Sequence, residues 1–407
     1  MQKKKDSQLR CWILEKPQLS NPAVYRAVIR GIIAIGLAHF LTHLLEFALP
    51  PLYPLIMEEF SLSYSRVGLL SSSVVITLFI FQTPIGHLSD KRGRKSLLLV
   101  FLTLLIGSTF VTGFSQNFYH LLLFQVCVGV GASVYHSAGM AMASELAPPQ
   151  NLGRFMALQG FGGTFGVACG PFILGILGSA LGWREAIQYI AVLSIPVLVS
   201  IWWLLQRTQG EKKEKIDNRN IRSKKVIFFI LLGFILQGFV FRSLVSFFPT
   251  YMVDIHGSTL KAAGLLTSFL FLGSAFAELA GGEWADRTEK LNVIVITYGI
   301  RCVILYLINT IVHESSLILL ILVFGILQGL SIPAMSSLIL YMSPPASAGK
   351  SYGAIFSIGT MTGFFSPIIV GYIADLYDLR ISFFFLIICL VLAFIFTLLA
   401  RIFRFRT

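Results

Sequence analysis

The residues best equipped for chemistry are few, and they lie inside apolar runs, where an ionisable group is expensive and needs a reason. His39, His43 and Glu46 share one run. At about 100° per residue they form a narrow stripe on one helix face, expected to look into a helix bundle. Gln125, Tyr135 and His136 lie in another run, and a rise of about 1.5 Å per residue puts His136 level with His39. Imidazoles titrate near pH ~6.5, so this group could relay protons; the alternative role is hydrogen bonding between helices. The i, i+4 pair His39/His43 could grip a metal, yet no third ligand of obvious spacing follows beyond Glu46. No metal and no other cofactor is expected. Gln237 and Arg242 lie in a later run. Glu278 and Arg301 flank one short loop at comparable depth, and paired burial predicts a structural ion pair between them. No nucleophile–base pair or phosphate loop stands out, so an enzyme is not expected.

The elements that must position these groups are membrane helices. Of 407 residues, 56% are hydrophobic and 13% charged, with a mean hydropathy of +0.79. Soluble proteins carry about 25% charged residues, so the chain is read as a multi-pass integral membrane protein. A helical crossing needs about 20 apolar residues. Runs of that length fall near 31–57, 66–86, 96–115, 119–143, 154–180 and 186–206. Six more fall near 226–252, 262–285, 291–311, 316–341, 351–376 and 381–400. The predicted fold is all-α: twelve transmembrane helices in two pseudo-symmetric six-helix bundles. The divisions are an N-terminal segment 1–29, a bundle 30–206, a basic linker 207–225, a second bundle 226–401 and a tail 402–407. The five cysteines form no metal spacing or disulfide framework.

The two halves repeat at a constant offset of 196. Gly68 meets Gly264, Gly86 meets Gly282, Asp90 meets Asp286, and Gly129 meets Gly325. Pro171 meets Pro367, Gly175 meets Gly371, and Glu46 meets Arg242. Two repeats about an axis along the membrane normal account for this and put Glu46 and Arg242 opposite one another. Lys and Arg fix the orientation. If both termini are cytoplasmic, that side holds 26 of the cations and the other side four. The same bias explains the net charge of +13 without nucleic acid.

Between the second and third runs lies Gly86-His-Leu-Ser-Asp90-Lys-Arg92-Gly93-Arg94-Lys95. Gly86 allows close helix approach and Gly93 a positive φ. Asp90 can dock on a helix N-terminus, with Arg94 and Lys95 as local partners. The form G-x-x-x-D-[RK]-x-G-R-[RK] resembles the loop signature of the major facilitator superfamily of secondary transporters. Its second copy keeps Gly282, Asp286 and Arg287, then degrades. The resemblance covers nearly the whole chain. It implies that the first and fourth helices of each half line a central cavity, placing His39, His43, Glu46, Gln125, Tyr135, His136, Gln237 and Arg242 there. It also implies that Asp90 and Asp286 gate against helix starts in the opposite half.

In the fifth run, Gly166-x-x-x-Gly170-Pro171-x-x-x-Gly175 has the spacing of close helix packing and is similar to the fifth-helix motif of drug–proton antiporters. Gln125 replaces the arginine usual in the fourth helix of such antiporters. His39-Phe-Leu-Thr-His43, Tyr53-Pro-Leu-Ile and Gly129-x-Gly131-Ala-Ser133-x-x-His136 look like the fosmidomycin-resistance branch. That implies proton-driven efflux of a small, drug-like or anionic compound by a monomer in a bacterial or archaeal cytoplasmic membrane, its partners being substrate, protons and lipid. Proton-coupled uptake of an organic anion or sugar is the rival within the class. A non-transporting sensor or scaffold is the rival outside it, and the intact 86–95 loop argues against that.

Overall fold

The structure, a computed structural model, describes residues 22–146, 152–206, 223–310, 314–342 and 348–404. The expected N-terminal segment up to residue 21, most of the linker and the last three residues lie outside them. Among the described residues there is no strand. Eleven helices among the described residues are long and apolar enough to cross a membrane, and Gly363–Leu376 is a shorter apolar one.

The first bundle contains α1 (Pro22–Glu46), a short 3-10 turn (Pro50–Leu52), α2 (Tyr53–Phe60), α3 (Tyr64–Arg92) and α4 (Arg94–Thr112). It continues with α5 (Phe118–Val134), a π-helical turn (Tyr135–Gly139), α6 (Met140–Leu146), α7 (Leu152–Leu181) and α8 (Trp183–Leu205). The second bundle contains α9 (Lys224–Asp254), α10 (Leu260–Arg287), α11 (Lys290–Thr310), α12 (Glu314–Met342), α13 (Ala348–Leu376) and α14 (Leu379–Arg404).

Two expected spans are interrupted. The first breaks after Glu46, because Pro50, Pro51 and Pro54 cannot donate to a helical ladder. The fourth widens into the π turn between α5 and α6. Elsewhere local chemistry sets the starts as the repeat requires. The Ser63 hydroxyl accepts from the backbone N–H of Arg66 to start α3, and Thr259, its mate, accepts from Ala262 to start α10.

The repeat also explains how the helices pack. Gly129 lies against the Val74 carbonyl and Gly325 against that of Leu270, joining α5 to α3 and α12 to α10 through equivalent positions. The stripe on α7 serves α1: Gly162 faces the Gly36 backbone and Gly166 the Phe40 carbonyl. Gly170 contributes only ordinary contact with Leu44.

The bundles meet along two equivalent seams, α3 against α13 and α7 against α10. Gly68 lies against the Pro367 carbonyl and Gly264 against that of Pro171. Gly371 and Gly175 complete the approach against Tyr64 and Gly264. Ser72 Oγ donates to the Phe364 carbonyl, and its mate Ser268 Oγ to that of Ala168, each at 2.6 Å. Glycines with no Cβ let backbones come this close, as small residues do at membrane helix interfaces.

Candidate functional site

The π turn and two glycines shape a cluster of aromatic and ionisable groups at the bundle interface. A π turn inserts an extra residue, and such turns concentrate at functional sites. Here it carries Tyr135 and His136 towards α1. Tyr135 stacks on His39 at 4.2 Å between ring centroids, and His136 lies 5.9 Å from His39 and 5.3 Å from His43. Gly139 leaves room for the Tyr135 ring, and Gly163 for that of His39.

Hydrogen bonds fix the cluster. His39 Nδ1–H donates to the Gln159 carbonyl at 2.7 Å, and the Tyr135 hydroxyl donates to Gln159 Oε1 at 2.8 Å. His43 Nδ1–H donates to Glu46 Oε2 at 2.8 Å. Arg242 Nη1, across the interface on α9, donates to Glu46 Oε1 at 2.7 Å. Its guanidinium lies 5.0 Å above the Phe47 ring, a cation–π position. The Glu46 carboxylate is thus buried but satisfied at both oxygens. A narrow cleft between the bundles opens on Glu46 and Arg242, lined also by Gln125, Tyr53, Ser71 and Ser246.

One donor atom from each of His43, Glu46 and His136 lies within 4.8 Å of the others, a spacing seen around metal ions. Both Glu46 oxygens are already engaged, and the adjacent guanidinium repels a second cation. A metal ion there would have to displace one of these contacts.

Gln237 and the expected Glu278–Arg301 pair require correction. Gln237 Oε1 accepts from Arg301 Nη1, and Gln328 Oε1 accepts from Arg301 Nη2, each at 2.9 Å. Arg301, with no exposed surface, is therefore a brace within the second bundle, and Gln237 belongs to it rather than to the cleft. Phe324 supports the guanidinium at 4.5 Å. Glu278 turns the other way, into the α7–α10 seam, where the Thr164 hydroxyl donates to Oε2 at 2.9 Å. Equal depth is legible in a sequence; the direction a side chain points around its helix relative to a given neighbour is not.

In the 86–95 loop, Gly93 has φ +95°, and a Cβ on Gly86 would sit 3.3 Å from that of Ser137. Arg94 pairs with Asp90 at 2.8 Å and also with Glu145 on α6, while Lys95 Nζ donates to the Leu205 carbonyl at the end of α8. Arg92 is exposed. In the second copy, Arg287 pairs with Glu283 at 2.5 Å, and Gly282 has no neighbour within 4 Å of a Cβ position. The side chain of Asp286 and the chain leading into α7 and α13 lie outside the described residues. The expected docking of Asp90 and Asp286 therefore falls there too.

Sequence reasoning passed over a third constellation, at the opposite end of the helices. Asp375 accepts the backbone N–H groups of Tyr64 (2.7 Å) and Ser65 (3.0 Å) at the start of α3, and Asp254 accepts the Tyr64 hydroxyl at 2.8 Å. Asp254 follows the run 226–252 and Asp375 lies in the last turn of the run 351–376, and neither was singled out there. The signal was positional: each stands at the helix end facing the start of α3.

Comparison with known proteins agrees with this architecture. The Major Facilitator Superfamily pattern matches residues 35–367 and 230–407. The fosmidomycin resistance protein of Escherichia coli K12 is 25% identical over 354 residues, covering 84% of this chain and 86% of that one. The nitrite extrusion protein of Bacillus subtilis is 23% identical over 324 residues, covering 77% and 79%. Among solved structures, a bacterial homologue of the human lysosomal transporter Spinster, inward-facing and occupied, superposes with a TM-score of 0.76 at 17% identity, over 91% of this chain and 96% of that one. With two pseudo-symmetric helical bundles and a polar cleft between them, the chain belongs to the Major Facilitator Superfamily of membrane transporters.

Proposed function

We propose that this chain is a proton-coupled secondary transporter that exports a small anionic or drug-like compound by alternating access. The observation that carries the reading is the Glu46–Arg242 pair, which joins the bundles beside His43 and His136. A carboxylate held by a guanidinium stays ionised; when the bundles part, or an anion takes the arginine, it becomes free to accept a proton. The three histidines supply a route for that proton. The relatives include proteins named for fosmidomycin resistance and nitrite extrusion, and an anionic cargo here would find its partner in Arg242. Asp90 and its loop act as the gate at their own end, and the 30–206 and 226–401 bundles move as the two bodies.

Reconstituted protein with a pH gradient tests this, with fosmidomycin and nitrite as first probes. Glu46→Gln is expected to keep exchange of a transported probe while losing proton-driven accumulation. Uphill transport at the wild-type level in that variant would remove Glu46 from coupling.

The cation bias supports cytoplasmic termini, and the bacterial relatives support a bacterial inner membrane. In a cysteine-free background, Gln116→Cys is expected to react with an impermeant thiol reagent in intact cells, and Asn218→Cys only after lysis. The reverse pattern would invert the orientation.

A further inference from the structure

Among the described residues, Glu278 is unlike the other buried acid, Glu46. It stands on α10 at 6% exposure with its carboxyl over Gly160 of α7, so close that a Cβ there would lie 2.6 Å from Oε1. The ring pair Phe161–Phe276, 5.6 Å apart, flanks the contact. No charged side chain is presented to it among the described residues. From α7 come Gly160 and Thr164, and His39 beyond them packs on Gly163 with its Nδ1–H on Gln159. From α12, Leu330 meets the neighbouring Gly281. Arg301 of α11 is occupied by Gln237 and Gln328, and Arg242 of α9 by Glu46. The 3-10 turn before α2 holds only Pro50, Pro51 and Leu52.

An ionised carboxylate buried between helices without a cation is strongly disfavoured, whereas a neutral acid can accept the Thr164 bond and stay. We propose that Glu278 is a proton-binding site that controls the α7–α10 seam: it is protonated while the helices are closed and ionises when they part. Glu278 and Gly160 lie nearer the 86–95 end of their helices than the other end. One proton therefore passes between the carboxyl and the solution on that side, and no other bond changes. The site rests on movement of the bundles against each other, not on any role of Glu46.

Infrared spectroscopy of the purified full chain in lipid vesicles tests the proposal. The wild type is expected to show the C=O band of a protonated, buried carboxylic acid at neutral pH, lost as pH rises. Glu278→Gln, which keeps the side-chain shape and a carbonyl for Thr164, is expected to lack that band, and Glu46→Gln to retain it. Thr164→Val is expected to shift the band upward by removing its hydrogen bond. Spin labels at Leu158→Cys and Gly282→Cys are expected to separate as pH rises in the wild type and to stay fixed in Glu278→Gln. A band that survives in Glu278→Gln, or a wild type without one, would overturn the site. Equal pH-driven separation in both proteins would remove its control of the seam.

Discussion

The two seams share one skeleton and differ in their acids. Along both, a glycine faces a proline carbonyl and a serine reaches across to a backbone carbonyl, all at positions 196 apart. The α3–α13 seam then adds Asp375, satisfied by two backbone N–H groups at a helix start. The α7–α10 seam adds Glu278, satisfied by one hydroxyl. Neither acid has an acidic mate: the positions equivalent to Asp375 and Glu278 are Ser179 and Gln82. Both copies carry the close approach, and only one copy carries each acid. A shared contact therefore serves packing, and an unshared acid is where function is to be sought.

The largest effect is expected where a charge depends on a charge. Glu46→Ala leaves the half-buried Arg242 without its partner, and breaking a buried pair costs up to about 3–5 kcal/mol. A large fall in thermal midpoint is expected, with much of it recovered by the exchange Glu46→Arg with Arg242→Glu. Glu278→Ala, which strands no cation, should lower the midpoint far less, leaving the Thr164 hydroxyl alone at about 1–3 kcal/mol. Equal losses would mean that Glu278 is balanced by a cation after all.

Next come the shared glycines. Gly129→Ala and Gly325→Ala each push a Cβ into the carbonyl of Val74 or Leu270, and overpacking of this kind costs about 1–3 kcal/mol. Because the sites are repeat mates, the two losses should agree. Gly36→Ala is the control, since nothing lies within 4 Å of its Cβ position. A tolerated Gly325→Ala beside a damaging Gly129→Ala would break the equivalence of the two bundles.

Asp375→Asn should be milder. A carboxylate at a helix N-terminus contributes about 0.3–1 kcal/mol when exposed and up to ~2 when partly buried. Its loss is expected to loosen only the α3–α13 seam, seen as faster thiol labelling at Ser65→Cys, with labelling at Lys261→Cys unchanged. A matching change at Lys261 would show that the seams open together.

Much of this was legible in the sequence, for identifiable reasons. Run length gave the spans, because a bilayer sets a minimum helix length. The constant offset paired the glycines and prolines that the seams use, because each repeat mate occupies the same place in its bundle, but it did not say what they face. The proximity of Glu46 and Arg242 follows from the same offset and a two-fold axis. Three features were hidden. The π turn at Tyr135–Gly139 goes with Gly139, whose missing Cβ leaves room for the Tyr135 ring, a contact that only the fold reveals. The break after Glu46 was foreshadowed by its prolines but read as continuous apolar sequence. Gln237 and Glu278 were misassigned because a sequence gives depth in the membrane and not which neighbouring helix a side chain meets. Their partners, Arg301 for the one and Thr164 for the other, are fixed only by helix rotation in the packed bundles.

The smallest stability effect is expected in the loop most conspicuous in the sequence. Asp90 is mostly exposed, at 58%, and its described partner is Arg94 one turn on. Exposed ion pairs contribute about 0–1 kcal/mol, and Arg94 would still hold Glu145. Asp90→Asn should therefore leave the thermal midpoint almost unchanged. Its effect on transport is a separate matter, because a poised equilibrium between two conformations responds to differences that stability measurements barely register. If the carboxylate docks on a helix start of the other bundle during the cycle, losing about 1 kcal/mol of that contact shifts the balance roughly fivefold. Expression and probe binding should then persist while turnover slows. Turnover at the wild-type rate would confine the 86–95 loop to setting topology and leave conformational control to the seams.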